Sequence, residues 1–171
     1  MTEKFEAVYA AEHIPYESSA IMSSSIVFLI REAAPGDLDA VQILLKNSGL
    51  PLDGIGDTLE TMLVATTEEQ IVGSAALEIH GEYALLRSVV VRSDVRGNGL
   101  GLRLTSEILE LGARLGLRRI YLLTETAGDF FPRFGFEPVD RIEIPSIVKT
   151  SVEFTSACPE SALAMVRSLG D

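Results

Sequence analysis

Apolar residues recur along this chain at two spacings, one typical of strands and one typical of helices. Runs rich in Val, Ile and Leu predict strands. They lie at Ile26 to Arg31, Met62 to Thr66, Ile71 to Ile79, Tyr83 to Val91 and Ile120 to Thr124. The polar Thr67 to Gln70 and the turn at His80 to Glu82 predict that the second, third and fourth runs follow one another as antiparallel strands.

Two segments carry the three- and four-residue spacing of amphipathic helices. The first opens at Pro35-Gly36-Asp37 and ends at Gly49, and the second ends at Gly116. The apolar stripe of the second consists of Leu100, Leu104, Ile108, Leu111 and Leu115. Because this helix lies between two strands, we expect it to be a crossover that makes Tyr83 to Val91 and Ile120 to Thr124 parallel neighbours.

The remaining segments carry weaker patterns. We expect Pro51 to Asp57, which contains two glycines, to be a flexible connector that shapes a binding site. Further on, the sequence predicts a short helix at Ala127 to Phe134 capped by Gly135, a strand at Phe136 to Val139, a helix at Pro145 to Glu153, a loop at Thr155 to Ser161 and a closing strand at Ala162 to Arg167.

The length of 171 residues suits one domain with a substantial core. Residues 1–25 show no clear periodicity, so we interpret them as an extension with a short helix around Glu6 to Glu12. The domain itself is expected to span residues 26–171, with strands and helices mixed as in an α/β or α+β fold.

Composition and charge exclude several classes of protein. No apolar run approaches the roughly 18 residues that a membrane span needs. A net charge of −11 argues against nucleic acid, whose binding depends on neutralising phosphates. One cysteine, Cys158, and two histidines give neither an internal disulfide nor metal-ligand spacing, so we expect no metal. The acidic start does not resemble a secretory signal, which favours a cytoplasmic location.

The segment Arg96-Gly97-Asn98-Gly99-Leu100-Gly101 lies between a valine-rich strand and the more strongly patterned helix. Glycines allow main-chain N–H groups to converge there without interference from Cβ atoms. The unpaired donors and the positive dipole end of the helix favour an anion. A pyrophosphate satisfies both conditions.

The spacing of the glycines narrows the choice of phosphate-containing ligand. The dinucleotide fingerprint fails, because Leu102 or Leu104 stands where its third glycine belongs. The nucleotide-triphosphate loop also fails, because no lysine occurs from Gln70 to Val148. A tight strand-to-helix turn without a ligand remains the alternative.

Two motifs resemble those of the GCN5-related N-acetyltransferases, the GNAT family. Arg96, Gly99 and Gly101 occupy the fixed positions of the family's [RQ]-x-x-G-x-[GA] signature. Phe130 to Phe136 is similar to its second signature, an aromatic-rich helix that ends in Gly-Phe. The resemblance covers about Ile26 to Leu169.

This resemblance implies a mixed, mostly antiparallel sheet of six or seven strands, flanked by helices and splayed between its fourth and fifth strands. Acetyl-coenzyme A would lie in the gap as cosubstrate. By resemblance, main-chain groups of Val89, Val90 and Val91 hold the pantetheine, and those of Arg96, Gly97, Asn98, Gly99, Leu100, Gly101 and Leu102 hold the pyrophosphate. Phe131 would pack along the cofactor. Arg103 either reaches a phosphate or pairs with Glu107 on the helix surface.

Acetyl transfer to an amine requires the removal of a proton from the ammonium form. Glu125, at the end of the fifth strand, and Glu78, on the same strand face as His80, are the candidate bases, and each is otherwise an exposed surface acid. Many family members place a tyrosine where this chain has Phe131, so protonation of the departing thiolate by tyrosine is in doubt. Tyr121 could substitute only if its strand turned it toward the gap.

The expected acceptor is a primary amine of a small amino-acid-like molecule. Glu153 to Pro159, and Leu50-Pro51 with Gly54, resemble an acetyltransferase group associated with arsenic-resistance loci. Cys158 would suit an arsenical ligand there or would serve as a small packing residue. Acetylation of a protein N-terminus or lysine, and an acetyl-coenzyme A sensor without turnover, are the alternatives. A second copy of the chain is a candidate partner, whereas nucleic acid and membranes are not expected partners.

Overall fold

A seven-stranded sheet with helices on its faces organises residues 27–68 and 70–170, which the computed structural model describes. The expected extension at residues 1–25, with its helix around Glu6 to Glu12, lies outside the described residues. The strands are β1 (Leu29–Glu32), β2 (Met62–Thr67), β3 (Gln70–His80), β4 (Tyr83–Val91), β5 (Arg119–Thr124), β6 (Glu137–Pro138) and β7 (Leu163–Ser168). The helices are α1 (Leu38–Asn47) and α2 (Leu100–Arg114).

The strand order is β1-β2-β3-β4-β5-β7-β6, and every neighbouring pair except β4 and β5 is antiparallel. The parallel pair is the one that α2 connects, as expected for a crossover helix. The predicted mixed, mostly antiparallel α/β sheet is therefore confirmed, and so is the antiparallel succession of β2, β3 and β4. The closing strand β7 lies between β5 and β6.

Helices α1 and α2 cover opposite faces of the sheet. Four residues of the predicted stripe, Leu100, Leu104, Ile108 and Leu111, pack with β3 and β5 in the larger core cluster, whereas Leu115 is exposed beyond the end of α2. Val41, Leu44 and Leu45 of α1 pack with Val64 and Ala76 in another cluster. Gly73 on β3 brings α2 close, because a Cβ at this position would lie 2.8 Å from Leu104 Cδ1. This close packing fixes the start of α2 above the end of β4.

Several segments differ from the sequence-based expectations. The first strand begins at Leu29 and not at Ile26. The connector expected to be flexible runs into a 3-10 helix, Ile55–Thr61, which the Thr58 hydroxyl supports by donating to the Ile55 carbonyl at 2.8 Å. The predicted helix at Ala127 to Phe134 is reduced to a 3-10 turn, Phe131–Phe134, with Gly135 as its left-handed cap.

The segment between β6 and β7, residues 139–162, differs most from the expectation and is called the tail below. The predicted helix at Pro145 to Glu153 is replaced by a 3-10 turn, Val148–Thr150, and a π-helical turn, Glu153–Ala157, extends into the predicted loop at Thr155 to Ser161. Long-range contacts explain the difference, because Ser151 and Glu153 bond to side chains of β3 and β4. Among the described residues, no helix combines the length and apolarity needed to cross a membrane.

Candidate active site

Strands β4 and β5 separate along their length. They pair only at Tyr83 to Leu85 with Arg119 to Tyr121, and beyond these residues the main-chain groups of β4 that face β5 are left open. A cavity of about 590 Å³ fills the resulting gap. The predicted splay between the fourth and fifth strands is confirmed.

A β-bulge at Ser88 shapes the β4 side of this gap. Between the pairs Ser74–Val90 and Ala76–Arg87, β4 contains one residue more than β3. Ser88 takes a left-handed φ of 55°, and Ser74 Oγ donates to its carbonyl at 2.9 Å. The bulge interrupts the side-chain alternation of β4, so that Arg87, Ser88 and Val89 all line the same cavity.

A second cavity, of about 430 Å³, lies over the start of α2. Its lining comes from the end of β4, from the glycine turn and from the segment around the 3-10 turn Phe131–Phe134. The lining residues are Val89, Val90, Val91, Arg96, Gly97, Gly99, Leu100, Gly101, Leu102, Phe130 and Arg133. Val89 lines both cavities, which are therefore adjacent.

The glycine turn is held in a conformation that exposes main-chain donors. Gly97 and Gly99 have φ of 82° and 75°, in the left-handed region that favours glycine. Arg96 Nε donates to the Val91 carbonyl at 2.8 Å, and Asn98 Nδ2 donates to the Val95 carbonyl at 3.0 Å. A Cβ added at Gly97 or Gly99 would have no atom within 4 Å, so the space above the turn is open. The first N–H groups of α2 point to this space, as at any helix start.

The structure brings most of the predicted cofactor-binding residues together around the smaller cavity. Asn98 supports the turn without lining the cavity, and Phe131 lines the larger cavity instead. Arg103 Nη2 lies 3.7 Å from Glu107 Oε1 on the exposed surface of α2. Tyr121 is buried beside Tyr83 and Ile144 and does not line either cavity.

The two predicted bases occupy different environments. Glu125 is exposed and lines the larger cavity at the end of β5. Glu78 is bonded on both oxygens, because Oε2 accepts from Arg87 Nη1 at 2.8 Å and from Ser151 Oγ at 3.0 Å, and Oε1 lies 3.1 Å from His80 Nε2. Glu78 does not line the larger cavity.

Sequence reasoning missed two charged residues of the larger cavity, Arg87 and Glu153. The Arg87 side chain is fully buried, and its Nε lies 3.1 Å from Glu153 Oε1 without the alignment of a hydrogen bond. A signal for Arg87 existed, since a charged residue within the apolar strand Tyr83–Val91 needs a buried partner. Glu153 carried no comparable signal, because only the fold brings the tail to β4.

Glu153 and Cys158 form the tail side of the cavity. Burial raises the pKa of the Glu153 carboxyl above its usual value, and the charge of Arg87 opposes this rise. Cys158 Sγ lies 3.7 Å from Glu153 Oε2. Burial and the neighbouring carboxylate of Glu153 raise the pKa of the Cys158 thiol to about 11. Among the described residues, no group of three or more His, Cys, Asp or Glu side chains is arranged to hold a metal ion.

Comparison with known proteins agrees with this geometry. Residues 58–138 match the protein-family model described as acetyltransferase (GNAT) domain. Over 156 residues, 89% of this chain and 94% of the relative, the chain is 25% identical to an uncharacterized N-acetyltransferase of Chlorobaculum tepidum.

Solved structures share the fold at low sequence identity. N-acetylglutamate synthase from Neisseria gonorrhoeae, complexed with coenzyme A and N-acetyl-glutamate, superimposes with a TM-score of 0.72 at 20% identity over 85% of this chain. The chain spans about a third of that enzyme, 36% of its length. The ribosomal-protein-S18-alanine N-acetyltransferase from Escherichia coli gives a TM-score of 0.66 at 16% identity, covering 85% of this chain and 96% of that one.

The raised pKa of Cys158 predicts slow alkylation of this thiol. A thiol with pKa near 11 is about one part in a thousand ionised at pH 8, and one with pKa near 9 about one part in ten. In the folded protein, iodoacetamide should therefore react at pH 8 about a hundredfold more slowly than in the urea-unfolded chain, and the rate should still be rising at pH 10. Because the chain has one cysteine, mass spectrometry reports this site alone. Equal rates in the folded and unfolded chains would show that the fold does not raise the pKa of this thiol.

Proposed function

We propose that this chain, whose residues 58–138 match a GNAT acetyltransferase domain, transfers an acetyl group from acetyl-coenzyme A to a primary amine of a small amino-acid-like molecule. The observation that carries this proposal is the adjacency of the two cavities at Val89. An elongated thioester can occupy both, with its phosphates at the glycine turn and its acetyl end between β4 and β5.

The smaller cavity suits the phosphate end of the cofactor. The open N–H groups at the start of α2 would hold the pyrophosphate, supported by the positive end of the helix dipole. Arg96, which lines the cavity beside the turn, adds a positive charge in a chain whose net charge of −11 otherwise repels an anion. Phe130 and the β4 valines supply apolar walls for the pantetheine arm.

The reaction within the larger cavity is direct attack of the amine nitrogen on the thioester carbonyl carbon. The C–N bond forms as the C–S bond breaks, and coenzyme A leaves as a thiolate. An open N–H group of β4 near Val90 or Val91 would stabilise the developing oxyanion. The nitrogen loses a proton to a carboxylate, and the thiolate, whose thiol has a pKa of roughly 8.5, is a tolerable leaving group without a tyrosine.

Glu125 is the base that the arrangement favours. Its carboxylate lies at the edge of the larger cavity, where an ammonium group would enter from solvent. The rival Glu78 already accepts from Arg87 and Ser151 and is further bonded to His80, so a proton taken there would disrupt a buried ion pair.

Enclosure of the larger cavity favours a small acceptor over a protein chain. Residues of the segments Ser48 to Asp53 and Glu153 to Cys158 line it, so a polypeptide would have to displace one of these segments. The Neisseria neighbour is complexed with a small acetylated amino acid, whereas the Escherichia neighbour is named for a protein substrate. The similarity of the tail and connector to the group associated with arsenic-resistance loci adds arsenical and phosphinic amino acids to the candidate acceptors.

The proposed placement of the cofactor predicts the effect of a side chain at Gly101. A Cβ there would have ordinary contacts of 3.7 Å with Phe130 and Val91, and the backbone is not left-handed. We expect Gly101→Ala to retain acetyl-coenzyme A binding and Gly101→Glu to abolish it by occupying the pyrophosphate position with a negative charge. Isothermal titration calorimetry, with circular dichroism to verify folding, measures both. Unchanged affinity in a folded Gly101→Glu protein would rule out this placement.

The assignment of the base predicts a pH-dependent defect in Glu125→Gln. Near pH 7 we expect kcat to fall by about 10²-fold or more, since a positioned base typically contributes this much. The defect should shrink toward pH 10, where the free amine is abundant without a base. Glu110→Gln, an exposed change on α2, is the matched control. A defect in Glu125→Gln that is the same at every pH, or no defect, would argue against this role.

The function itself is tested by measuring thiol release from acetyl-coenzyme A with a panel of amines. The panel contains ordinary amino acids, arsenical and phosphinic amino acids, and peptides with free N-termini or lysines. We expect release with a small amino-acid-like amine and none with peptides. Turnover of peptides alone would support a protein acetyltransferase, and cofactor binding without release for any amine would support a sensor.

A further inference from the structure

Arg87 connects both loop walls of the larger cavity to β4. Its Nη2 donates to the main-chain oxygen of Asp53 in the connector at 2.6 Å, and its Nε lies 3.1 Å from Glu153 Oε1 in the tail. Its Nη1 donates to Glu78 on β3 at 2.8 Å. Asp53 and Glu153 both line the cavity. One buried side chain therefore joins the connector and the tail to the sheet.

The tail is attached to this cluster a second time. Ser151 Oγ donates to Glu78 Oε2 at 3.0 Å, the oxygen that also accepts from Arg87. Between β6 and β7 the tail forms short turns and pairs with no strand of the described sheet. Its position over the cavity therefore depends on side-chain contacts such as these.

The connector approaches the guanidinium so closely that a side chain at Gly54 would press against it. Gly54 has φ of 71°, and a Cβ there would lie 3.3 Å from Arg87 Nη1 and 3.5 Å from Val152 Cγ1. Connector, arginine and tail are thus packed against one another at a single point. Gly81, in the turn between β3 and β4, also has a left-handed φ, 67°, but no atom lies within 4 Å of a Cβ added there.

The glycine turn has supports of its own. Arg96 and Asn98 hold it to the carbonyls of Val91 and Val95, and Arg87 does not line the smaller cavity. A change at Arg87 should therefore alter the larger cavity and leave the smaller one intact.

We propose that Arg87 is a positioning residue that shapes the acceptor cavity by holding the connector and the tail, which both line it. The inference rests on the proposed function in taking this cavity as the acceptor site. Lysine cannot replace the arginine, because a single ammonium group on a flexible chain does not present donors in three fixed directions.

The test compares Arg87→Lys with the wild type in acceptor kinetics and in cofactor binding. We expect the acceptor KM to rise about tenfold or more, since small misplacements of bound groups are costly. The Kd for acetyl-coenzyme A should stay within about twofold. Arg118→Lys, which alters an exposed ion pair with Glu82, is the control and should change neither quantity.

Gly54→Ala perturbs the same contacts without removing the charge of Arg87. The added methyl group should displace the guanidinium or the tail, so we expect a higher acceptor KM with unchanged cofactor affinity. Gly81→Ala is its matched control, because it introduces the same left-handed strain without a new contact. This pair of variants keeps the proposal testable should Arg87→Lys fail to fold.

Hydrogen–deuterium exchange separates this proposal from the function on which it rests. Residues 50–54 and 151–158 should both exchange faster in Arg87→Lys and Gly54→Ala than in the two controls, whether or not any amine is acetylated. Unchanged exchange in both segments would overturn the proposal. Equal losses of acceptor and cofactor binding would also overturn it, because they would indicate general destabilisation.

Discussion

Hydrogen bonding between β4 and β5 stops after Leu85 and Tyr121, and the main-chain groups of β4 beyond that point need other partners. Parallel neighbours are held here by one crossover helix, α2, whose start lies above the open end of the gap. The close packing at Gly73 keeps α2 against the sheet. The gap, the exposed helix start and the cofactor cradle are thus consequences of one interruption in the sheet.

The acceptor cavity depends on a different interaction, the ion pairing of the buried Arg87 with two carboxylates. Glu78 and Glu153 compensate the desolvation of Arg87, and loss of one partner in such a cluster typically costs about 3–5 kcal/mol. These interactions of Arg87 hold the connector and the tail against the sheet. The burial that raises the pKa of Glu153 also keeps the Cys158 thiol protonated, so the cavity presents its thiol as a neutral group.

The sequence allowed accurate prediction where structure is locally determined. The strand Tyr83–Val91, the helix starting at Leu100 and the stops at Gly116 and Gly135 follow from periodicity and glycine positions. The tail could not be predicted in the same way, because Ser151 and Glu153 are held by residues of β3 and β4 that are distant in sequence. For the same reason the sequence alone does not indicate that Glu78 is paired, although the fold places it beside Arg87.

A crystal structure with acetyl-coenzyme A bound tests this cofactor placement most directly. We expect the diphosphate on the main-chain N–H groups of Gly99 to Leu102 and the thioester arm between β4 and β5, near Val89. A ligand bound elsewhere, or β4 and β5 paired along their whole length with no space between them, would contradict it.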